Sequence, residues 1–383
     1  MADLVARALA AKLKPVTGCK VIGLGDSITQ ADTDLPNNSF GDSSWFMQLI
    51  ARSNGRLRYV RNSGISGNTT AMMLSRLQTD VIAHKPDMCV ILGGTNDVGG
   101  DVVTSTTIGN LEAMIKMLLA ANITPIIGTM PPRGDTLKDT LLVQTNTAIK
   151  DLAYRYKLIL LDFHSVLVDP ANGNFKAGYA GDNLHPTSVG SKVMAEYAFE
   201  KISPFLPYAE TLLPDWNNDP HNMLANGLFI TDGDSNGVPD SWISYGSSSV
   251  TTSLVDNANI VGKAAKMTAT SNASGNRYLE QTISDTNKFA VGDKIAFCGK
   301  FIAEMTNDVD VIYGAGVAFT GGTPGLTPLK DWEVKVDNGR FYHEVTVPSG
   351  TTAIVTRFSV GNGTGSAYWG QVGLYNLTKM GLA

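Results

Sequence analysis

The chain has 383 residues, a formal net charge of −5, 43% hydrophobic and 17% charged residues. That length accommodates two or three domains, the apolar content excludes a disordered chain, and an acidic balance with neither half basic excludes a phosphate-backbone binder. No apolar run reaches the ~18 residues that a membrane-spanning helix needs, so no membrane partner is expected.

Ala2–Lys14 is a short amphipathic stretch interrupted by charge, without the apolar centre of a secretion signal. The chain is therefore expected to stay inside the cell, to be a fragment, or to leave by another route, such as on a virion surface. Three cysteines, Cys19, Cys89 and Cys298, are too few and too scattered for a disulfide framework or a zinc site. Buried free thiols are expected.

From Val21 the chain alternates short apolar runs with segments of helical period. Val21–Gly25, Arg58–Asn62, Met88–Gly93, Thr124–Gly128 and Leu158–Asp162 read as buried strands. Helices are expected between and after them, over Ser44–Ser53, Thr70–His84, Thr107–Ala121, Leu137–Tyr156 and Ser188–Ile202. Strands separated by such helices predict βαβ units and a parallel sheet covered on both faces. Ligand chemistry in such sheets gathers at the carboxyl ends of the strands.

Four short motifs fall on that rim. GLGDSITQ puts Ser27 in the turn after the first strand. NSGISGNT puts Gly67 after the second, where a glycine lets its N–H approach a ligand. LGGTNDV places the Asn96 amide after the third. GDNLHPTSVG sets Asp182 three residues before His185, ahead of the last helix. Each alone also fits an ordinary cap, Asx turn or loop glycine. Together they supply a nucleophile, a base, a group that orients the base, and hydrogen-bond donors for an oxyanion. The donors are the N–H groups of Ser27 and Gly67 and the side chain of Asn96. Asp26, Asp97, His84 and His164 are read as structural.

Over about Lys20–Ile202 the chain resembles the SGNH hydrolases, also called GDSL-type esterases and lipases. The resemblance implies a flavodoxin-like three-layer α/β/α fold with strand order 2-1-3-4-5. It also implies ester hydrolysis through an acyl-enzyme, with no cofactor for catalysis, at Ser27, Asp182 and His185 with Gly67 and Asn96. Two positions depart from the family pattern. Ala31 stands where a glycine often follows the nucleophile, and Asn183 where a glycine often follows the Asp, as a left-handed turn would favour. No long hydrophobic lid is visible among the loops after the strands, which argues against long acyl chains. Trp45 and Phe46 fit either a sugar-facing cleft or the core of the first helix.

The stretch from Pro204 to Met223 is rich in Pro, Asn and Asp and reads as a linker. The expected domains are thus 1–205, a linker 206–222, and 223–383. In the last of these, Ala264–Thr270, Arg277–Ile283, Lys294–Glu304, Val311–Phe319, Phe341–Val347, Ala353–Val360 and Ala367–Leu377 read as strands of an all-β sandwich. Asp232, Asp234, Asn236 and Asp240 alternate around a glycine as calcium loops do, yet Ile243 holds the place of a closing bidentate acid. Calcium and a polar loop of Asx turns both remain readings of that segment. Its opening and the closing AYWGQVGLYNLT resemble jelly-roll carbohydrate-binding modules. Tyr245, Tyr278, Tyr313, Trp332, Tyr342 and Trp369 are candidates for stacking on sugars.

An esterase joined to such a module resembles carbohydrate O-acetylesterases, including those of plant polysaccharides and of bacteriophage tail fibres and spikes. An acetylated polysaccharide partner, an extracellular or virion location and a homotrimer are the corresponding expectations. The alternatives are a glycan-binding adhesin that has lost catalysis and a general short-chain lipase or thioesterase.

Overall fold

The computed structural model describes residues 18–31, 33–34, 39–40, 43–53, 55–134, 138–206, 212–305, 312–322, 329–332 and 336–382. The amphipathic segment Ala2–Lys14 lies outside the described residues, as does part of the expected linker.

Strands β1 (Cys19–Gly25), β2 (Leu57–Gly64), β3 (Met88–Leu92), β4 (Thr124–Gly128) and β5 (Ile159–Leu161) form one sheet in the order β2-β1-β3-β4-β5. Every pairing in it is parallel. The inner strands β1, β3 and β4 are largely apolar on both faces because both are covered, whereas the edge strand β2, expected to be buried, carries Arg58 and Arg61 half-buried. Val21, Met88, Val90, Leu92 and Ile126 join one core with helices α1 (Trp45–Arg52) and α5 (Ser188–Ile202). The alternate residues Ile22, Leu24, Cys89, Ile91 and Ile127 join a second core. There they meet α2 (Thr70–Asp80), α3 (Thr104–Ala120) and α4 (Asp139–Tyr156). Gly23 of β1 makes room for the first layer, since a Cβ there would lie 3.1 Å from the Phe46 ring.

Sequence and structure differ mainly at helix ends. The segment expected to be helical over Thr70–His84 breaks after Asp80 and resumes as a short 3-10 turn, Ile82–His84. Helix α3 begins three residues before Thr107, capped by an extended Val103. Trp45 and Phe46 are fully buried, with the Trp45 ring edge-on to Phe163 at 5.1 Å. They anchor α1 and do not face a cleft.

The second half is antiparallel β. Its strands are β6 (Ile243–Gly246), β7 (Val250–Val255), β8 (Ala264–Ile283), β9 (Lys294–Met305), β10 (Ile312–Thr320), β11 (Leu329–Trp332), β12 (Val336–Thr346) and β13 (Ala353–Asn376). Two expected strand pairs are in fact single long strands. Ala264–Thr270 and Arg277–Ile283 both belong to β8, and Ala353–Val360 and Ala367–Leu377 fall on β13, which ends at Asn376. The β8–β13 ladder shifts register between Ser271 and Asn276, where polar residues and glycines obscured the continuity. These long strands serve two half-sheets. On one side of the irregularity β6 and β10 flank them, with β11 beyond; on the other β7 and β9 do, with β12 beyond. Strands that change sheet at a bulge close such a core. Phe358 on one half meets Phe297 and Phe341 on the other at 5.9 and 6.1 Å, and stacks on Trp369 at 4.8 Å.

The two halves are joined by charge as well as packing. Arg58 of β2 pairs with Glu344 of β12 at 2.5 Å and lies over the Tyr342 ring at 5.3 Å. Cys19, Cys89 and Cys298 are free thiols, and burial pushes all three above the usual thiol range.

Candidate active site

The end of β1 delivers Asp26 and Ser27 to the sheet rim. Asp26 caps a single helical turn, Ser27–Gln30, its Oδ1 accepting the Ile28 N–H at 3.0 Å. That cap directs the chain sharply away from the strand. Asp26 is 1% exposed, and its Oδ2 has no hydrogen-bond partner among the described residues. Burial pushes its carboxyl up to about 7, against the opposing pull of the Ile28 N–H and of His185.

Ser27 Oγ lies 2.9 Å from Nε2 of His185, a residue 158 positions further along the chain. The other ring nitrogen, Nδ1, lies 2.8 Å from Oδ2 of Asp182. Asp182 Oδ1 accepts the N–H groups of Leu184 and His185 at 2.7 and 2.6 Å. This Asx turn fixes the loop that presents the imidazole. It also explains why Asn183, contrary to the sequence expectation, has no left-handed backbone: the Asp side chain makes the bend. Burial alone would raise the Asp182 carboxyl, but the His185 ring and the two N–H groups hold it down to about 2. Gly134 donates its N–H to Asn183 at 2.8 Å, tying the loop after β4 to this one.

Gly67 sits in the loop after β2 with φ of +76°, a conformation that favours glycine. A Cβ there would meet none of the described residues within 4 Å, and the backbone angle is one that selects glycine. Among the described residues, no acceptor takes the N–H of Ser27 or of Gly67. Asn96 lies in the short helix Thr95–Gly99 and donates one Nδ2 hydrogen to the Asn68 carbonyl at 3.0 Å. Its second amide hydrogen has no partner in the described structure. Asp97 accepts the N–H and hydroxyl of Thr70 at 2.8 and 2.5 Å, and so starts α2.

Ser27, Ile28, Gln30, Ala31, Ser43, Ser66, His185 and Pro186 line a cleft of about 400 Å³. Three residues that sequence patterns did not single out tie together the loops at this end of the sheet. Gln30 accepts the Ser66 N–H at 2.6 Å. Arg133 donates to the Thr95 carbonyl at 2.9 Å. Arg76 reaches both the Gly25 carbonyl and Asn68 at 2.8 Å. A cation on a helix carries no local signature of such a role; only the fold brings it there.

Residues 24–193 match the GDSL-like Lipase/Acylhydrolase family. That segment is a GDSL-like acylhydrolase domain. The acylhydrolase domain places the chain among the carboxylic ester hydrolases. An acetylxylan esterase of Geobacillus stearothermophilus is 25% identical over an alignment of 212 residues that covers 50% of this chain and 96% of that protein. Among solved structures, a putative acylhydrolase of Bacteroides fragilis is 27% identical with a TM-score of 0.41, covering 49% of this chain and 88% of that one. The acetylxylan esterase Axe2 of Geobacillus stearothermophilus is 24% identical with a TM-score of 0.43, covering 49% and 96%.

Outside the acylhydrolase domain, Asp232, Asp234 and Asp240 bring carboxylate oxygens within 4.8 Å of one another. Hard oxygen donors of this kind suit calcium. Two of these carboxylates also accept N–H groups of their own loop, from Gly237 to Asp232 at 3.0 Å and from Gly233 to Asp240 at 3.0 Å. Asn236 turns inward on this network, donating its amide to Asp234 at 2.8 Å. Ile243, where an acid would close the shell, is exposed.

The aromatic candidates divide. Tyr313 and Trp369 are fully buried and cannot meet a sugar, and Tyr342 lies under Arg58. The side chain of Trp332 lies outside the described residues. Tyr245 and Tyr278 form a cross-strand pair at 5.4 Å, with Arg357 over the Tyr278 ring at 4.8 Å.

Proposed function

We propose that the protein is a serine esterase that removes O-acetyl groups from a polysaccharide. The observation that carries this reading is the unbroken relay from Ser27 through His185 to Asp182, with steps of 2.9 and 2.8 Å, opening onto the cleft. His185 Nε2 takes the Ser27 proton as Oγ attacks the ester carbonyl. Asp182 holds the proton on Nδ1, so the nitrogen facing Ser27 is the basic one, and it stabilises the imidazolium that forms. The unpaired N–H groups of Ser27 and Gly67, with the second hydrogen of the Asn96 amide, receive the oxyanion. The imidazolium then gives its proton to the sugar oxygen as the bond from that oxygen to the acyl carbon breaks, and the sugar leaves as its alcohol. A water deprotonated by His185 attacks the acyl-enzyme, and Ser27 regains its proton as acetate leaves.

The cleft supports a small acyl group, because three serines and Gln30 line it beside Ile28, Ala31 and Pro186. The acetylxylan esterase relative supports a sugar ester as substrate. Exposed Tyr245, paired with half-buried Tyr278, supports glycan contact by the second half. In the same proposal, the Asp232, Asp234 and Asp240 loop takes calcium as a structural ion. A rise in melting temperature on adding calcium, abolished in Asp234→Ala, tests that point.

Acetate release tests the main reading. A panel of acetylated bacterial and plant glycans is compared with p-nitrophenyl acetate, butyrate and longer esters. Free acetate from a glycan and a steep fall beyond acetyl support it. Preference for longer acyl chains favours a general lipase, and glycan binding without any acid release favours an adhesin.

A further inference from the structure

We infer that Arg76 is a positioning residue for hydrolysis, holding the loop of Gly67 and the acceptor of Asn96 in register with the turn of Ser27. The inference rests on the roles proposed above for Ser27, Gly67 and Asn96.

The Arg76 side chain is 13% exposed and each of its nitrogens has its own partner. One terminal nitrogen donates to the Gly25 carbonyl at 2.8 Å, two residues before the nucleophile. Nε donates to Asn68 Oδ1 at 2.8 Å, one residue beyond Gly67. The other terminal nitrogen pairs with Asp80 one helical turn on, at 2.8 Å, and this carboxylate balances the charge. A planar fork can serve three directions at once, which an ammonium on a flexible stem does far less well.

The chain of contacts continues from Asn68. Its carbonyl is the acceptor that orients the Asn96 amide at 3.0 Å. Its N–H closes a turn onto Ile65 at 3.1 Å, and the Ile65 N–H returns to the same Gly25 carbonyl at 3.1 Å. Gly67 itself has no side chain to anchor it, and a Cβ in its place would touch none of the described residues. Its peptide therefore points where its neighbours are tied: Ser66 to Gln30 on one side, Asn68 to Arg76 on the other. Two of the three oxyanion donors depend on this arrangement. Displacements of an ångström at such donors lower rates by about a hundredfold.

The experiment compares wild type with Arg76→Lys, Arg76→Ala, Asn68→Ala, the Arg76→Ala/Asn68→Ala double variant and Ser27→Ala on p-nitrophenyl acetate. Expected is a fall in kcat of about ten- to a hundredfold in Arg76→Ala with KM within about twofold. Added guanidinium at low millimolar concentration is expected to restore part of the rate in Arg76→Ala. The double variant is expected to lose little beyond either single change, because both break one link. If Arg76→Ala does not fold, Arg76→Lys and Asn68→Ala carry the measurement, with a smaller fall in kcat at unchanged KM. A lowered melting temperature with kcat unchanged overturns the inference and leaves Arg76 as a staple of α2. Activity persisting in Ser27→Ala would instead overturn the underlying reading, whatever the Arg76 variants do.

Discussion

His185 and Asp182 hold each other at 2.8 Å although their side chains remain 43% and 59% exposed. The pair is thus fixed by geometry more than by burial. Asp182 is anchored at Oδ1 by two backbone N–H groups of its own loop, which leaves Oδ2 aimed at the ring.

Asp182→Asn is expected to lower kcat by about ten- to a thousandfold, less than the ~10⁴ typical of a buried partner, because water screens this one. KM should move little. Steady-state kinetics on p-nitrophenyl acetate check this, and an unchanged kcat would remove Asp182 from the relay. Since Asp182 titrates near 2, its native-state contribution is present above the ordinary carboxylate range and is lost only as pH falls toward 2. Any fall in activity between pH 7 and 4 must therefore have another origin.

Ala31 occupies φ of 41° and ψ of −134°, a backbone region natural to glycine, at the end of the nucleophile turn. Ala31→Gly should relieve that strain. The gain is expected to be about 1 kcal/mol, after offsetting the greater entropy of a glycine in the unfolded chain. Thermal or urea unfolding measures it. A lower stability in the glycine variant would show that the alanine side chain contributes packing that outweighs the strain.

Asp26 gives a pH dependence of the opposite sign to Asp182. Its folded carboxyl titrates near 7, above the unfolded value, so the folded state binds the proton more tightly. Its contribution is fully present below pH ~4 and is lost as pH rises through 7. Asp26→Asn keeps an acceptor for the Ile28 N–H and removes the titration. The variant should therefore lose less stability than wild type between pH 5 and 8. Parallel stability profiles would contradict the assignment.

Much of the first half was legible because its chemistry is local. Buried strands such as Met88–Leu92 are apolar on both faces, and three of the four motifs follow a strand end while the fourth precedes the last helix. The second half was less so. The irregularity in β8 near Ser271 looks like a turn in sequence, and only its ladder with β13 shows one continuous strand. Trp45 fitted a cleft as well as the core in sequence, and its contact with Phe163 places it in the core. Arg76, Arg133 and Gln30 were invisible, since their partners are carbonyls, amides and peptide groups that become neighbours only on folding. The contact of Arg58 with Glu344 joins residues nearly three hundred positions apart, and no spacing rule announces it.

The account turns on the nucleophile, and the most direct measurement is the turnover of p-nitrophenyl acetate by Ser27→Ala at matched concentration and unfolding midpoint. The expected result is a folded protein with activity at the level of the uncatalysed reaction. A folded Ser27→Ala enzyme retaining more than a few per cent of wild-type kcat/KM would contradict it.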